Sequence, residues 1–322
     1  MTTEATVAPL VTLDAVRAAR TVIGDRVRRT PMMASATLSA MTGADIFLKL
    51  ELFQKTGSFK VRGALNRMDQ LTAEERKRGV VTLSAGNHAQ AVAWAARAMG
   101  VSATVVMPTT AVRSKVEATR GYGGDVVQTS GDLLGTAHTL QAERGLTLVH
   151  PFDDDRVIAG AGTLALEAFE DVSDPDVLLV GCGGGGVLSG ISVAARGLRP
   201  AARVIGVEPD GACGMRQSLD HGSPVAPDRL STIADGLAAP FTGVRNFAHV
   251  KGLGVEMVTV PDEAIVEAMW LLIERCKVLA EPAAAAGLAA LLAGKVTVPK
   301  GAKVVLFVTG GNVDRERLRT LG

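Results

Sequence analysis

Lys60 lies in the run Thr56-Gly57-Ser58-Phe59-Lys60-Val61-Arg62-Gly63-Ala64, a segment of small and apolar residues that reads as the start of a helix. An ammonium packs poorly in such a place. An amine that must shed its proton is well served there, because desolvation lowers a lysine pKa and frees the lone pair for attack on a carbonyl. The competing reading is a surface lysine whose stem covers apolar neighbours. Three further segments weigh against it: Ser84-Ala85-Gly86-Asn87-His88, Gly183-Gly184-Gly185-Gly186 and Thr309-Gly310-Gly311-Asn312. Each stands where a strand should give way to a loop or helix.

The glycine run supports two chemistries. Gly181-Cys182-Gly183-Gly184-Gly185-Gly186 satisfies G-x-G-x-x-G after the apolar run Asp176–Val180, and Glu208 ends a later strand. That is the pattern of a dinucleotide site with its ribose-binding acid, hence of a nicotinamide-dependent oxidoreductase. The same loop, ahead of a helix, can hold a single phosphate monoester on its backbone N–H groups. Lys60 decides between them. Hydride transfer has no use for a carbonyl-trapping amine, whereas pyridoxal phosphate needs both the amine and a phosphate cradle.

These segments need elements to hold them. Strand-like runs cover Ile46–Leu50, Val80–Leu83, Ala103–Met107, Asp125–Gln128, Leu146–His150, Val177–Val180, Arg203–Glu208 and Lys303–Val308. Helical patterns lie between them at His88–Met99, Ser114–Arg120, Asp132–Arg144, Gly186–Arg196 and Asp262–Lys277. The alternation predicts α/β architecture, with open parallel sheets covered by helices on both faces. Ligands in such sheets bind beyond the carboxyl ends of the strands, where all four segments fall. The apolar stretch Ala283–Leu292 is too short to span a membrane and reads as a buried helix. The patch Ser223–Asp228 reads as a surface loop.

Composition narrows the classes. The 322 residues are 47% hydrophobic and 21% charged, which is globular rather than disordered. A net charge of +1 and 3% aromatic residues argue against nucleic acid as a partner. No apolar run is long enough for a membrane, and Met1 to Pro9 has no secretory pattern. Cys182, Cys213 and Cys276 lack metal spacing, so reduced thiols in the cytoplasm are expected. With about ten residues after Asn312, no carboxy-terminal regulatory domain is expected.

With these residues assembled, the chain resembles the fold-type II pyridoxal-phosphate enzymes, the tryptophan synthase β-like fold, and within them the threonine/serine dehydratase and serine racemase group. The resemblance runs from about Val11 to Asp314 and rests on Glu51-Leu52-Phe53-Gln54-Lys55-Thr56-Gly57-Ser58-Phe59-Lys60, the Ser84–His88 loop, the tetraglycine loop and Thr309–Asp314. It implies two α/β domains with the cofactor in the cleft between them: a large one from residues 1–79 and 151–322, and a small one from 80–150. It implies pyridoxal 5'-phosphate attached to Lys60, with Phe59 beside the ring and Asn87 on its oxygen. Gly183, Gly184, Gly185, Gly186 and Val187 would hold the phosphate, and Thr309 would face the ring nitrogen. Gly236 and Glu281 would lie near the cofactor. Ser84, Ala85, Gly86, Asn87 and His88 would grasp an amino-acid carboxylate. A cation site at Glu208 and Ala212 is implied too, although Gly214 replaces its usual further carboxylate. Homo-oligomers, dimer or tetramer, are usual in this group.

The implied reaction is β-elimination from L-threonine or L-serine to a 2-oxo acid and ammonia. Racemisation, or dehydration of another 3-hydroxy amino acid, is the alternative, and a binding protein without turnover is a third reading that Lys60 opposes. Ala85 replaces the serine that racemases carry, and Ala161 replaces a frequent glutamine. Thr309 offers the ring nitrogen only a neutral hydroxyl, which weakens the electron sink and favours prompt loss of a leaving group. Of the remaining residues, His88 is expected to position a loop and His150 to be structural. Asp153-Asp154-Asp155 is expected as a solvated turn rather than a metal cluster. Cys182 is expected as a small packed residue, Glu281 as either a helix cap or a cofactor neighbour, and Asp235-Gly236 as either the loop beside the cofactor or an ordinary turn.

Overall fold

The computed structural model describes residues 10–321; the expectation for Met1 to Pro9 lies outside them. Among the described residues, ten strands form two sheets: β1 (Met32–Ala34), β2 (Asp45–Leu50), β3 (Val80–Leu83), β4 (Ala103–Pro108), β5 (Asp125–Thr129), β6 (Thr147–Leu148), β7 (Val177–Gly181), β8 (Arg203–Pro209), β9 (Glu256–Val260) and β10 (Lys303–Val308). One sheet runs β1-β2-β10-β7-β8-β9, and the other β5-β4-β3-β6. Every pairing is parallel except β1 with β2. The four-stranded sheet is drawn from residues 80–148, and the six-stranded one from both sides of that segment.

The central strands are continuous apolar runs because both faces are covered. Val177–Gly181 is buried throughout, and so is β10 after its first residue. Pro282–Leu292 is the buried helix expected from Ala283–Leu292, with Pro282 in its first turn, where no N–H is needed. Ser223–Asp228 is a loop outside regular structure.

Four elements differ from expectation. Strand β6 keeps only Thr147–Leu148 of Leu146–His150, since the chain turns at His150 and Pro151 into the cleft. Strands β1 and β9 were not foreseen. The largest omission is the helix Asp155–Asp171, in which every residue from Val157 to Ala168 is buried. Its exposed positions, Asp155, Arg156, Glu170 and Asp171, lie at its two ends, so the middle reads as one unbroken apolar run.

That helix sets the geometry of the cleft. It crosses the Lys60–Asp69 helix on one side and the Gly186–Leu198 helix on the other. Glycines bring the backbones into contact at both crossings. A Cβ at Gly160 would lie 2.6 Å from Arg62 O, and one at Gly190 would lie 2.5 Å from Gly162 N. The helix that begins at Lys60 and the helix that follows the tetraglycine loop are therefore held against one common element.

Candidate active site

All four signature segments lie at the carboxyl ends of parallel strands. Glu51–Lys60 follows β2, Ser84–His88 follows β3, Gly183–Gly186 follows β7 and Thr309–Asn312 follows β10. Val308 pairs with Leu50 in the sheet, and beyond it Ser58 bridges Gly310. Phe59 N–H donates to Thr309 O at 3.0 Å, which satisfies a donor at the helix start and fixes the backbone next to Lys60.

Lys60 Nζ donates to Pro151 O at 2.9 Å and lies 5.1 Å from the Phe59 ring centroid. Burial lowers the amine from 10.5 to about 8, and the carboxylate of Glu281 works in the opposite direction. Two imidazoles flank it. His88 is driven down to about 3, first by burial and then by Lys60. It is therefore neutral, and because a carbonyl only accepts, its Nε2–H donates to Val149 O at 3.1 Å. His150 is also held low by burial. Its Nδ1 accepts from Phe152 N–H at 3.3 Å and Asp153 N–H at 2.8 Å, while its ring meets Phe152 edge-on.

Asn87 opens the Asn87–Ala98 helix. Its Nδ2 donates to Glu281 Oε1 at 2.8 Å, and its Oδ1 accepts from Asn312 Nδ2 at 2.8 Å. Asn312 also donates to Thr56 O at 2.7 Å, so three of the signature segments meet in one polar cluster. Glu281 makes no side-chain cap bond to the helix it precedes. Burial first, then Asp235, raise its carboxyl to about 7. Thr309 is buried beside it, and Ser58 Oγ is buried without a partner in the same corner.

The tetraglycine loop is packed from below. A Cβ at Gly184 would strike the Phe152 ring, and one at Gly183 would meet Gly236 O at 3.2 Å. Gly185 has φ +97, a conformation that side chains avoid. No side chain fits at Gly184 or Gly185, and the loop offers backbone N–H groups at the start of the Gly186–Leu198 helix. Val187 follows it, buried. Cys182 is fully buried with its thiol pushed well up by burial, in keeping with a packing role. Gly236 belongs to the short turn Asp235–Leu237 against Gly183, and Asp235 pairs with Lys115 Nζ at 2.5 Å.

Other acidic candidates have structural partners. Glu208 Oε1 accepts from Met215 N–H at 2.8 Å and Oε2 from Arg216 N–H at 2.9 Å, where the Gly214–His221 helix begins. Ala212 is buried in the intervening turn. Among the described residues no three His, Cys, Asp or Glu side chains converge on a possible metal position. Asp153 accepts from the N–H groups of Val244 and Arg245, Asp154 caps the Asp155–Asp171 helix, and Asp155 pairs with Arg245 at 2.7 Å. The triple aspartate is thus more than a solvated turn: it joins two helix starts.

A buried charge cluster was missed from the sequence. Arg62, fully buried, forks onto Glu51 and Glu167, and Lys49 Nζ reaches Glu167 Oε2 at 2.7 Å. Its only sequence signal is that Glu51 and Arg62 lie inside the segment around Lys60.

A family model described as pyridoxal-phosphate dependent enzyme matches residues 23–310. The chain belongs to the pyridoxal-phosphate dependent enzyme family. An L-threonine ammonia-lyase of Thermotoga maritima is 44% identical over 309 residues, covering 95% of this chain and 76% of that protein. An L-threo-3-hydroxyaspartate ammonia-lyase of Saccharomyces cerevisiae is 42% identical over 302 residues, covering 93% and 92%. The structure of maize serine racemase superposes with a TM-score of 0.92 at 39% identity, covering 97% of each chain. The family is pyridoxal-phosphate dependent, so the dinucleotide alternative is set aside.

The residues fit that cofactor. A buried amine with lowered pKa, an all-glycine loop at a helix start, a buried neutral hydroxyl at Thr309 and an amide at Asn87 are the donors and acceptors that an aldehyde, a phosphate, a pyridine nitrogen and a ring oxygen require.

Proposed function

We propose that the protein is a pyridoxal-phosphate dependent dehydratase, an ammonia-lyase that converts L-threonine and L-serine to 2-oxo acids and ammonia. The observation that carries the reading is the amine of Lys60, held near pKa 8 at the carboxyl ends of the strands, in a chain 44% identical to an L-threonine ammonia-lyase. Bound pyridoxal phosphate supplies an aldehyde for the substrate amine and a ring that withdraws electrons from Cα. Lys60 would be the attachment point for that aldehyde, and its free amine would be the base for the Cα proton, because a pKa of about 8 leaves a useful neutral fraction near neutrality. Gly183–Val187 would hold the phosphate, Thr309 would serve the ring nitrogen, and Asn87, Gly236, Glu281 and Phe59 would be the further cofactor-binding residues. The backbone of Ser84–His88 orients the substrate carboxylate. The Cβ hydroxyl leaves as water, and the released enamine tautomerises and hydrolyses to the 2-oxo acid and ammonia.

Two second readings have specific support. The yeast relative named for 3-hydroxyaspartate keeps dehydration of another 3-hydroxy amino acid in play, and the maize likeness keeps racemisation. Ala85 favours elimination over racemisation, since a methyl group cannot deliver a proton. The small domain is assigned to residues 80–150, carrying the four-stranded sheet, and the large one to 1–79 and 151–322. Exposed Phe53 and Leu279 fit a homo-oligomer, dimer or tetramer, and free thiols at Cys182, Cys213 and Cys276 fit the cytoplasm. A cation at Glu208 would have to share a carboxylate already bonded to two N–H groups.

Borohydride treatment of the yellow holoenzyme should bleach it and fix the cofactor on Lys60, and Lys60→Ala should abolish turnover. Release of 2-oxobutanoate and pyruvate across a panel of hydroxy amino acids identifies the substrate. A colourless protein, or a Lys60→Ala variant that still turns over, would refute the assignment.

A further inference from the structure

Arg62 lies two residues beyond Lys60 in the first turn of the same helix and is fully buried. Its Nε and Nη2 donate to Glu51 Oε2 and Oε1 at 2.8 and 2.7 Å, a planar fork on a carboxylate. Its Nη1 and Nη2 donate to Glu167 Oε1 and Oε2 at 2.7 and 3.0 Å, and Nη1 also reaches Thr163 Oγ1 at 3.2 Å. Glu51 further accepts from Thr30 Oγ1, and Glu167 from Lys49 Nζ. Arg62 and Lys49 are fully buried, and Lys49 Nζ also lies 3.7 Å from Asp171 Oδ2 at the edge of the cluster. Burial opposes the guanidinium charge, but Glu51 and Glu167 more than offset it and hold its pKa above the ordinary value.

Such clusters are poor stabilisers. Desolvation consumes most of the Coulomb gain, and apolar replacements of similar volume often fold as well. Their best-attested use is to fix geometry. Here one guanidinium ties together the end of β2, the start of the Lys60 helix and the middle of Asp155–Asp171. That last helix, through Gly162 and Gly190, bears on the helix that follows the phosphate loop. Phe59 N–H to Thr309 O fixes the other side of Lys60.

We propose that Arg62 is a positioning residue: by clamping the first turn of the Lys60 helix to Glu51 and Glu167, it sets the reach of the amine relative to the tetraglycine loop. The proposal rests on Lys60 and that loop as the cofactor site. Its consequence is that losing the clamp should spare phosphate binding and impair condensation of Lys60 with the aldehyde, a step in which the neutral amine adds to the carbonyl carbon and one water leaves. Errors of about 1 Å in such geometry cost on the order of a hundredfold in rate.

The test strips cofactor from wild type and from Arg62→Lys, which keeps the charge but loses the planar fork. Two measurements follow: the rate at which pyridoxal phosphate restores the yellow absorbance, and the affinity for 4-deoxypyridoxine 5'-phosphate, which has ring and phosphate but no aldehyde. The expected result is condensation slowed about tenfold or more, with affinity for the deoxy compound unchanged. Parallel loss of both, or loss of neither, overturns the proposal. If Arg62→Lys does not fold, Thr163→Val removes one contact on the Glu167 side, and a few-fold slowing with deoxy affinity intact is expected; unchanged condensation in that variant overturns it. Failure of wild type to fix cofactor on Lys60 would instead refute the site, so the two failures are distinguishable.

Discussion

Burial and one carboxylate pull the Lys60 amine in opposite directions, and the balance can be read by titration. In cofactor-free protein the rate of condensation with pyridoxal phosphate should be half-maximal near pH 8 rather than near 10.5. Glu281→Gln removes the attraction that favours the ammonium, so the midpoint should move down; an upward move would contradict the role given to Glu281. The same shift enters stability with a definite sign. Between about 8 and 10.5 the unfolded chain binds the Lys60 proton and the folded chain does not. Stability therefore rises with pH across that window, and the Lys60 contribution is adverse below it. Denaturant titrations of cofactor-free wild type and Lys60→Met should differ by that slope. At Ala85, restoring a hydroxyl with Ala85→Ser should raise the ratio of D-serine to pyruvate formed from L-serine, as chiral chromatography would measure. Lys60 and the tetraglycine loop were legible in the sequence because each is an odd choice for packing. The Arg62 cluster was not legible, because its partners Glu51 and Glu167 lie 11 and 105 positions away and nothing local announces that all three are buried.

At the level of elements, the crossings of Asp155–Asp171 matter more than any loop. Gly190→Ala places a methyl group against the backbone of Gly162, with no side chain able to yield. A loss of about 1–3 kcal/mol is expected in denaturant unfolding, together with weaker phosphate binding, because the displaced helix begins at the phosphate loop. Retention of full stability would mean that the two helices can part without consequence. Strands β2, β3, β4, β7, β8 and β10 were legible because buried parallel strands are short apolar runs ending at turn residues. Asp155–Asp171 was not, since its middle, Val157–Ala168, is buried throughout and a short apolar run does not distinguish helix from strand. Asp153, Asp154 and Asp155 were its only flag, as cap, neighbouring cap and ion pair, and acidic residues in a row look alike whether they cap helices or face water.

At the scale of the molecule, the signature segments come from both sheets, and cofactor bound to them should stabilise the whole. Pyridoxal phosphate at a hundredfold its dissociation constant should add about 2.7 kcal/mol to unfolding. Lys115→Ala, which breaks the exposed pair with Asp235 across the cleft, should change stability by no more than about 1 kcal/mol; scanning calorimetry resolves both. The order of strands in space differs from their order in the chain. Strand β10 pairs with β2 on one side and β7 on the other, yet residues 303–308 are translated after both. A nascent chain that has emerged through residue 148 already holds every strand of the four-stranded sheet. The six-stranded sheet must instead wait with two open inner edges until its keystone arrives. Open edges recruit other chains. The hazard of misassembly during synthesis is therefore concentrated on β2 and β7, and a chaperone that shields strand edges has its work there.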